Sequence, residues 1–179
     1  MLIDEALMTF REIGEKQLYA FSVRVTAEMT LEENRATDAR LALESTSVPI
    51  FRDLGDRWGL AAALGVLGDA LILERRFDEA SDAYDEALAI SRALDDSHGV
   101  ASSHARAAVL GAARGEPERT AVLSAKADDL LAEIGGALGP LQRRFYNGAV
   151  ESARNSLGSD RFLALRASSR LSGPALASV

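Results

Sequence analysis

The sequence predicts an all-α fold, a solenoid of about four antiparallel helix hairpins. Three observations carry that expectation. Four stretches recur: Phe10-Arg-Glu-Ile-Gly-Glu-Lys16, Phe51-Arg-Asp-Leu-Gly-Asp-Arg57, Ser91-Arg-Ala-Leu-Asp-Asp-Ser97 and Leu131-Ala-Glu-Ile-Gly-Gly-Ala137. Their aliphatic markers Ile13, Leu54, Leu94 and Ile134 are spaced by 41, 40 and 40 residues. A fixed period of this size marks units that bury their apolar faces against neighbours. Between the markers, apolar residues recur at helical spacing and no strand pattern is evident. Alanine and leucine dominate a chain that is 47% hydrophobic but only 6% aromatic, as close helix packing requires.

The elements follow in order. Residues 2–13 read as a lone second helix, because Asp4-Glu-Ala-Leu7 matches Asp85-Glu-Ala-Leu88 in the second helix of the second repeat. It is expected as a capping helix or as half of a repeat whose first helix is missing. Its stripe Leu2, Ala6, Leu7, Phe10 and Ile13 would face the first full unit. The repeats are placed at about 17–54, 57–94, 97–134 and 140–171, with 172–179 as a tail, all in one domain. The second is the clearest. Leu60, Leu64, Leu67 and Leu71 line one helix. A break follows at Arg75-Arg76, and Ala80, Tyr84, Ala87, Leu88 and Leu94 line the next. Two amphipathic helices joined by a short turn make a hairpin. Asp78 is the expected cap of its second helix. Pro49 falls inside the second helix of the first repeat and is expected to kink or end it. Pro117, Pro140 and Pro174 fall at helix starts or stops.

These residues resemble the tetratricopeptide repeat (TPR). Leu64, Leu67-Gly68 and Leu71 fill its first-helix pattern, with Leu71 where an aromatic is usual. Ala80, Tyr84 and Ala87 fill the second. The other repeats match more weakly: Thr26-Ala27, Ala39, Leu43 and Thr46 in the first, Ala107-Ala108, Gly111, Thr120, Ser124 and Ala127 in the third, Asn147-Gly148, Ala164 and Ala167 in the fourth. The resemblance implies a right-handed superhelix and close backbone approach at Gly68, Ala80 and Ala87. The forty-residue unit, with its linker Leu-Gly-Asp-Arg-Trp-Gly-Leu (54–60), is also similar to the sensor arrays of large ATP-binding LuxR-type and SARP-type bacterial transcriptional activators. The helix-turn-helix domain and the phosphate-binding loop of those proteins have no counterpart in this sequence.

Composition narrows the function. The net charge of -7 argues against a general nucleic-acid binder. With no cysteine there is no disulfide, thiolate metal site or cysteine nucleophile. No apolar run is long enough to span a bilayer, and Met1-Leu-Ile-Asp-Glu5 places acid where a signal peptide carries base. A cytoplasmic protein is expected. His98 and His104 lie six apart, on different faces of one helix rather than at chelating spacing. His104 as a general base lacks a partner nucleophile. The paired acids Asp78-Glu79, Asp82, Asp85-Glu86, Asp95-Asp96 and Asp128-Asp129 read as a solvated helix face rather than a catalytic pair. The glycines form no dinucleotide fingerprint. Gly55 and Gly135 read as helix C-caps. No cofactor and no metal are expected.

The inner wall implied by the TPR resemblance holds the candidate partner residues. They are Phe21, Arg24 and Glu28 in the first repeat, Asp69 and Ile72 in the second, Val109 in the third and Phe145 in the fourth. The positions that grip a C-terminal carboxylate in chaperone-binding TPR domains hold Gly65, Asp69 and Ala105, so that clamp is not supported. An apolar partner segment fits the wall better. The expected function is a non-catalytic module that binds a protein or peptide in its groove. The alternatives are a small-molecule sensing domain and, more remotely, an enzyme using the same groove. The apolar area left by the half repeat would suit a twofold mate, a homodimer through the terminal helices.

Overall fold

The computed structural model describes residues 2–171; residue 1 and the tail 172–179 lie outside it. The described residues are mostly helical, with no strand. In order they form α1 (Leu2–Glu12), α2 (Lys16–Glu32), α3 (Ala36–Ala42), a π-helical turn (Leu43–Ser47), α4 (Val48–Leu54), α5 (Arg57–Leu73), α6 (Phe77–Ala93), α7 (Ser97–Arg114), α8 (Pro117–Ile134), α9 (Pro140–Leu157) and α10 (Ser159–Leu171). The helices pack on neighbours in chain order, as an all-α helical repeat requires. They form two compact units, residues 1–99 and 100–179, divided within α7.

The turns set the rhythm. Left-handed backbone occurs at Gly14, Asn34, Gly55, Arg75, Asp95, Gly115, Gly135 and Gly158. Up to Gly135 the steps between these residues are 20, except for one step of 21 between Asn34 and Gly55. Up to Gly135 each turn closes its helix with the same pair of bonds, whereas the Gly158 N–H reaches the Arg154 carbonyl, four residues back. At Gly55 the N–H reaches the Arg52 carbonyl and the next N–H, of Asp56, reaches Phe51, the Schellman arrangement that satisfies the last carbonyls of a helix. Asn34, Arg75 and Asp95 repeat it with side chains that strain the left-handed conformation.

The single long step has a local cause. Between Asn34 and Gly55 lies the π-helical turn, where the N–H of Val48 bonds the carbonyl of Leu43, five residues back. A π turn accommodates one extra residue in an otherwise α-helical segment. Pro49, which has no N–H and crowds the preceding turn, sits just beyond it as α4 begins. The expected kink at Pro49 is therefore a one-residue bulge inside a helix that continues to Leu54. The bulge also revises the repeat alignment. The buried counterpart of Ala87 and Ala127 is Ser47, fully buried and donating from its Oγ to the Ala20 carbonyl at 2.9 Å. Thr46, read from the sequence, is only half-buried.

In the first unit α5 is the central helix. Gly59, Leu60 and all residues from Ala63 to Leu71 are buried against α2, α3, α4 and α6. Two of its glycines lie under aromatic rings. A Cβ at Gly59 would meet the Phe51 ring, and one at Gly68 would overlap the Tyr84 ring. Gly68 thus makes room for a side chain rather than for a second backbone. The N-terminus of α5 is capped by Asp56, which accepts from the Gly59 N–H at 2.8 Å. Asp96 repeats this bond to Gly99 at 2.9 Å. Asp78 does not cap α6; Arg76 holds the N-cap position without a side-chain capping bond, and Asp78 lies in the first turn, where its charge suits the helix dipole. On α1, Leu7 and Phe10 are half-buried, whereas Ile13 is 63% exposed. The side chains of Leu2 and Ala6 lie outside the described residues.

In the second unit small side chains bring the helices together. Ala105 and Ala108 of α7, Ala127 of α8, Leu138 of the loop before α9 and Tyr146 of α9 form one core. Ala121, Ala153 and Phe162 form another, which seats α10. Phe162 is the buried anchor of α10, while Ala164 and Ala167, expected as its small packing residues, are exposed. Asn147 and Gly148, expected at the Leu-Gly place, are exposed as well.

Candidate interaction surface

Three of the candidate groove residues meet on α2. Phe21 is 42% exposed. The Arg24 guanidinium stacks over its ring, 4.7 Å from the centroid. The same guanidinium donates from Nη1 to Glu28 Oε1 at 2.6 Å, one helical turn on. Spacings of three and four residues place the three side chains on one side of the helix. Arg24 is mostly buried, with a side-chain exposure of 12%. Its Nε–H is buried and has no hydrogen-bond partner among the described residues. An unsatisfied donor of this kind costs about 1–3 kcal/mol.

Asp69 is placed differently. It is 6% exposed and accepts a 2.7 Å hydrogen bond from the Tyr84 hydroxyl, so this carboxylate faces α6. Ile72 is half-buried one turn further along α5. In the second unit Val109 is half-buried against the Ala105–Tyr146 core. Phe145 is half-buried, with Arg144 over its ring at 5.4 Å. Nearby, Gln142 Nε2 reaches the Ser102 carbonyl and Oγ, both at 2.9 Å, and ties α9 to α7. His98 is exposed and His104 half-buried on α7. Among the described residues, no three His, Asp or Glu side chains converge on a metal-sized site.

One polar network of the second unit was not legible as such. Tyr146 donates to the Ser124 carbonyl at 2.9 Å or to Asp128 at 2.7 Å, and Arg166 reaches Asp128 and Ser124 Oγ, both at 2.7 Å. Arg154 and Arg166 also lie over the Phe162 ring, at 5.2 and 5.5 Å. Burial, and then the Asp128 carboxylate, push the Tyr146 phenol well above its ordinary range. Asp128 reads in the sequence as one more acid on a solvated face. Only its pairing with an arginine 38 residues away shows otherwise. In the first unit Glu74 has a similar role. It accepts from Thr37 at 2.6 Å and Arg40 at 2.8 Å, and the Thr37 bond, ahead of the arginine, holds its carboxyl below the usual range.

Charge is divided between the units. Residues 1–99 carry twenty acidic and ten basic side chains, net -10; residues 100–179 carry seven and ten, net +3. The chain's acidity therefore belongs to its first unit.

No helix among the described residues is long and apolar enough to cross a membrane. No family model matches this chain, and no curated protein is significantly similar to it.

Proposed function

We propose that the chain is a non-catalytic, TPR-type interaction module of the cytoplasm that holds a protein or peptide segment. The observation that carries this reading is the Phe21–Arg24–Glu28 group. A half-exposed aromatic ring, with an arginine stacked on it and ion-paired in place, has little side-chain freedom left to lose on binding. Aromatic and arginine side chains are also the types that most often dominate binding energy. The sequence resemblance to bacterial regulator arrays supports a role for such a module within, or beside, a transcriptional regulator.

The probe is a set of peptides selected from a phage-displayed random library against the intact chain. Phe21→Ala is expected to weaken them by about tenfold or more, while Asp82→Ala, on the exposed face of α6, leaves them unchanged. Circular dichroism checks that both variants fold. Selected peptides that bind Phe21→Ala as tightly as wild type overturn the assignment.

A further inference from the structure

A second face of α2 points to a partner. Leu18, Ser22, Val25 and Met29 follow one another at steps of four, three and four residues, so they form one stripe along the helix. Leu18 is 46% and Met29 48% exposed, and Ser22 and Val25 are half-buried. One repeat later the same register is Gly59, Ala63, Val66 and Ala70, and all four are buried in α5. The stripe that the second repeat covers is thus left open at Leu18 and Met29 of α2. At the other end of the chain α10 turns Phe162 inward and leaves Leu163 58% exposed, beside the exposed Ala164 and Ala167.

The charges of these two ends are opposite. Residues 2–33 carry seven acidic and three basic side chains, net -4; residues 140–171 carry two and six, net +4. On α9, Arg143, Arg144 and Arg154 are exposed and form no ion pair among the described residues. A twofold contact would set -4 against -4 across an α2–α2 interface. A head-to-tail contact sets an acidic end against a basic one, whose Arg161 and Arg166 are already paired within the chain to Glu118 and Asp128.

We propose that the α2 stripe binds a second copy of this chain through that copy's C-terminal pair, α9 and α10. The apolar contact joins Leu18, Val25 and Met29 to Leu163, and the flanking charges set its direction. Such a contact uses two different surfaces, so each copy keeps one free end and association proceeds past the dimer unless a ring closes. It does not depend on the Phe21 reading.

Sedimentation velocity of the full chain over a wide concentration range tests this. The average mass is expected to rise with concentration, and to rise less at high salt, where the end charges are screened. Met29→Glu and Leu163→Glu each disable one end, and each is expected to weaken association by about tenfold or more. Mixed together they are expected to form heterodimers and stop there, because each supplies the end the other lacks. That rescue also shows that both variants are folded. A wild-type chain that stays monomeric overturns the proposal and leaves the α2 stripe to a different molecule. A Leu163→Glu variant that associates like wild type, with no rescue on mixing, overturns it in favour of a twofold contact.

Discussion

The Tyr84 hydroxyl donates to Asp69 at 2.7 Å, and the same ring occupies the space beside Gly68. Adjacent residues of α5 thus receive one side chain of α6 in two ways. Asp69 takes its polar end and Gly68 accommodates its flat face. The ring is 3% exposed and has no room to retreat. Gly68→Ala is expected to destabilise by about 1–3 kcal/mol through overpacking, even though alanine favours the helix. Tyr84→Phe is expected to cost about 1–3 kcal/mol, because Asp69 is left buried without this donor. Gly68→Ala with Tyr84→Ser is expected to cost less than the sum of the single changes, since the overlap disappears with the ring. Urea midpoints of the four proteins measure all three.

The extra residue before Gly55 and the proline beside it offset one another. Deleting Ser45, which is exposed, would restore the forty-residue period but would return Pro49 to a regular helix. The deletion alone is expected to cost about 3 kcal/mol, the ordinary penalty of an interior proline. The deletion combined with Pro49→Ala is expected to lie within about 1 kcal/mol of wild type, the scale of helix propensities. Deleting Asp85, at the matching place in α6, has no bulge to remove. It would turn the rest of α6 by about 100° and take Ala87 and Ile90 out of the core. Denaturant titration followed by circular dichroism separates these cases. Equal losses for the two deletions would dismiss the compensation.

Tyr146 makes stability depend on alkaline pH. Its phenol titrates higher in the folded chain than the ordinary value of 10.0. Below that value both the folded and the unfolded forms keep the proton, and the hydroxyl's stabilisation is complete. As pH rises past it, the unfolded chain loses its proton first and stability falls. Tyr146→Phe is expected to cost about 1–2 kcal/mol at neutral pH and to flatten part of the decline above pH 10. Stability measured from neutral to strongly alkaline pH gives both quantities. Parallel curves for the two proteins would show that Tyr146 is not the group responsible.

The architecture was legible because its signal is repeated. Four copies of one marker stretch outweigh any single substitution, and helical spacing identifies a packing face without reference to partners. Positions inside the frame were harder to place. One residue inserted before Pro49 moved the small buried position from Thr46 to Ser47, and constant-period counting has no means of locating an insertion. In the last repeat the steps between turns change from 20 to 23, between Gly135 and Gly158, so Phe162 rather than Ala164 became the anchor of α10. The candidate surface was legible where it is local. Phe21, Arg24 and Glu28 meet because they share a helix. Asp69 was read as groove charge because the partner that covers it, Tyr84, lies fifteen residues away on the next helix. Net charge misled in another way, since one total of -7 hides an acidic unit and a slightly basic one.

The left-handed residues at the helix ends also determine how far an error can travel. Each of them ends one helix and restarts the chain in a new direction, so the angular phase of the next helix is set afresh. An added residue therefore spoils, at worst, the segment that contains it. The bulge at Leu43–Ser47 is such an event, contained before Gly55, and α5 begins in register as though nothing had happened. A fold punctuated every twenty residues can accumulate insertions one helix at a time, whereas a long uninterrupted coil would carry each of them to its far end.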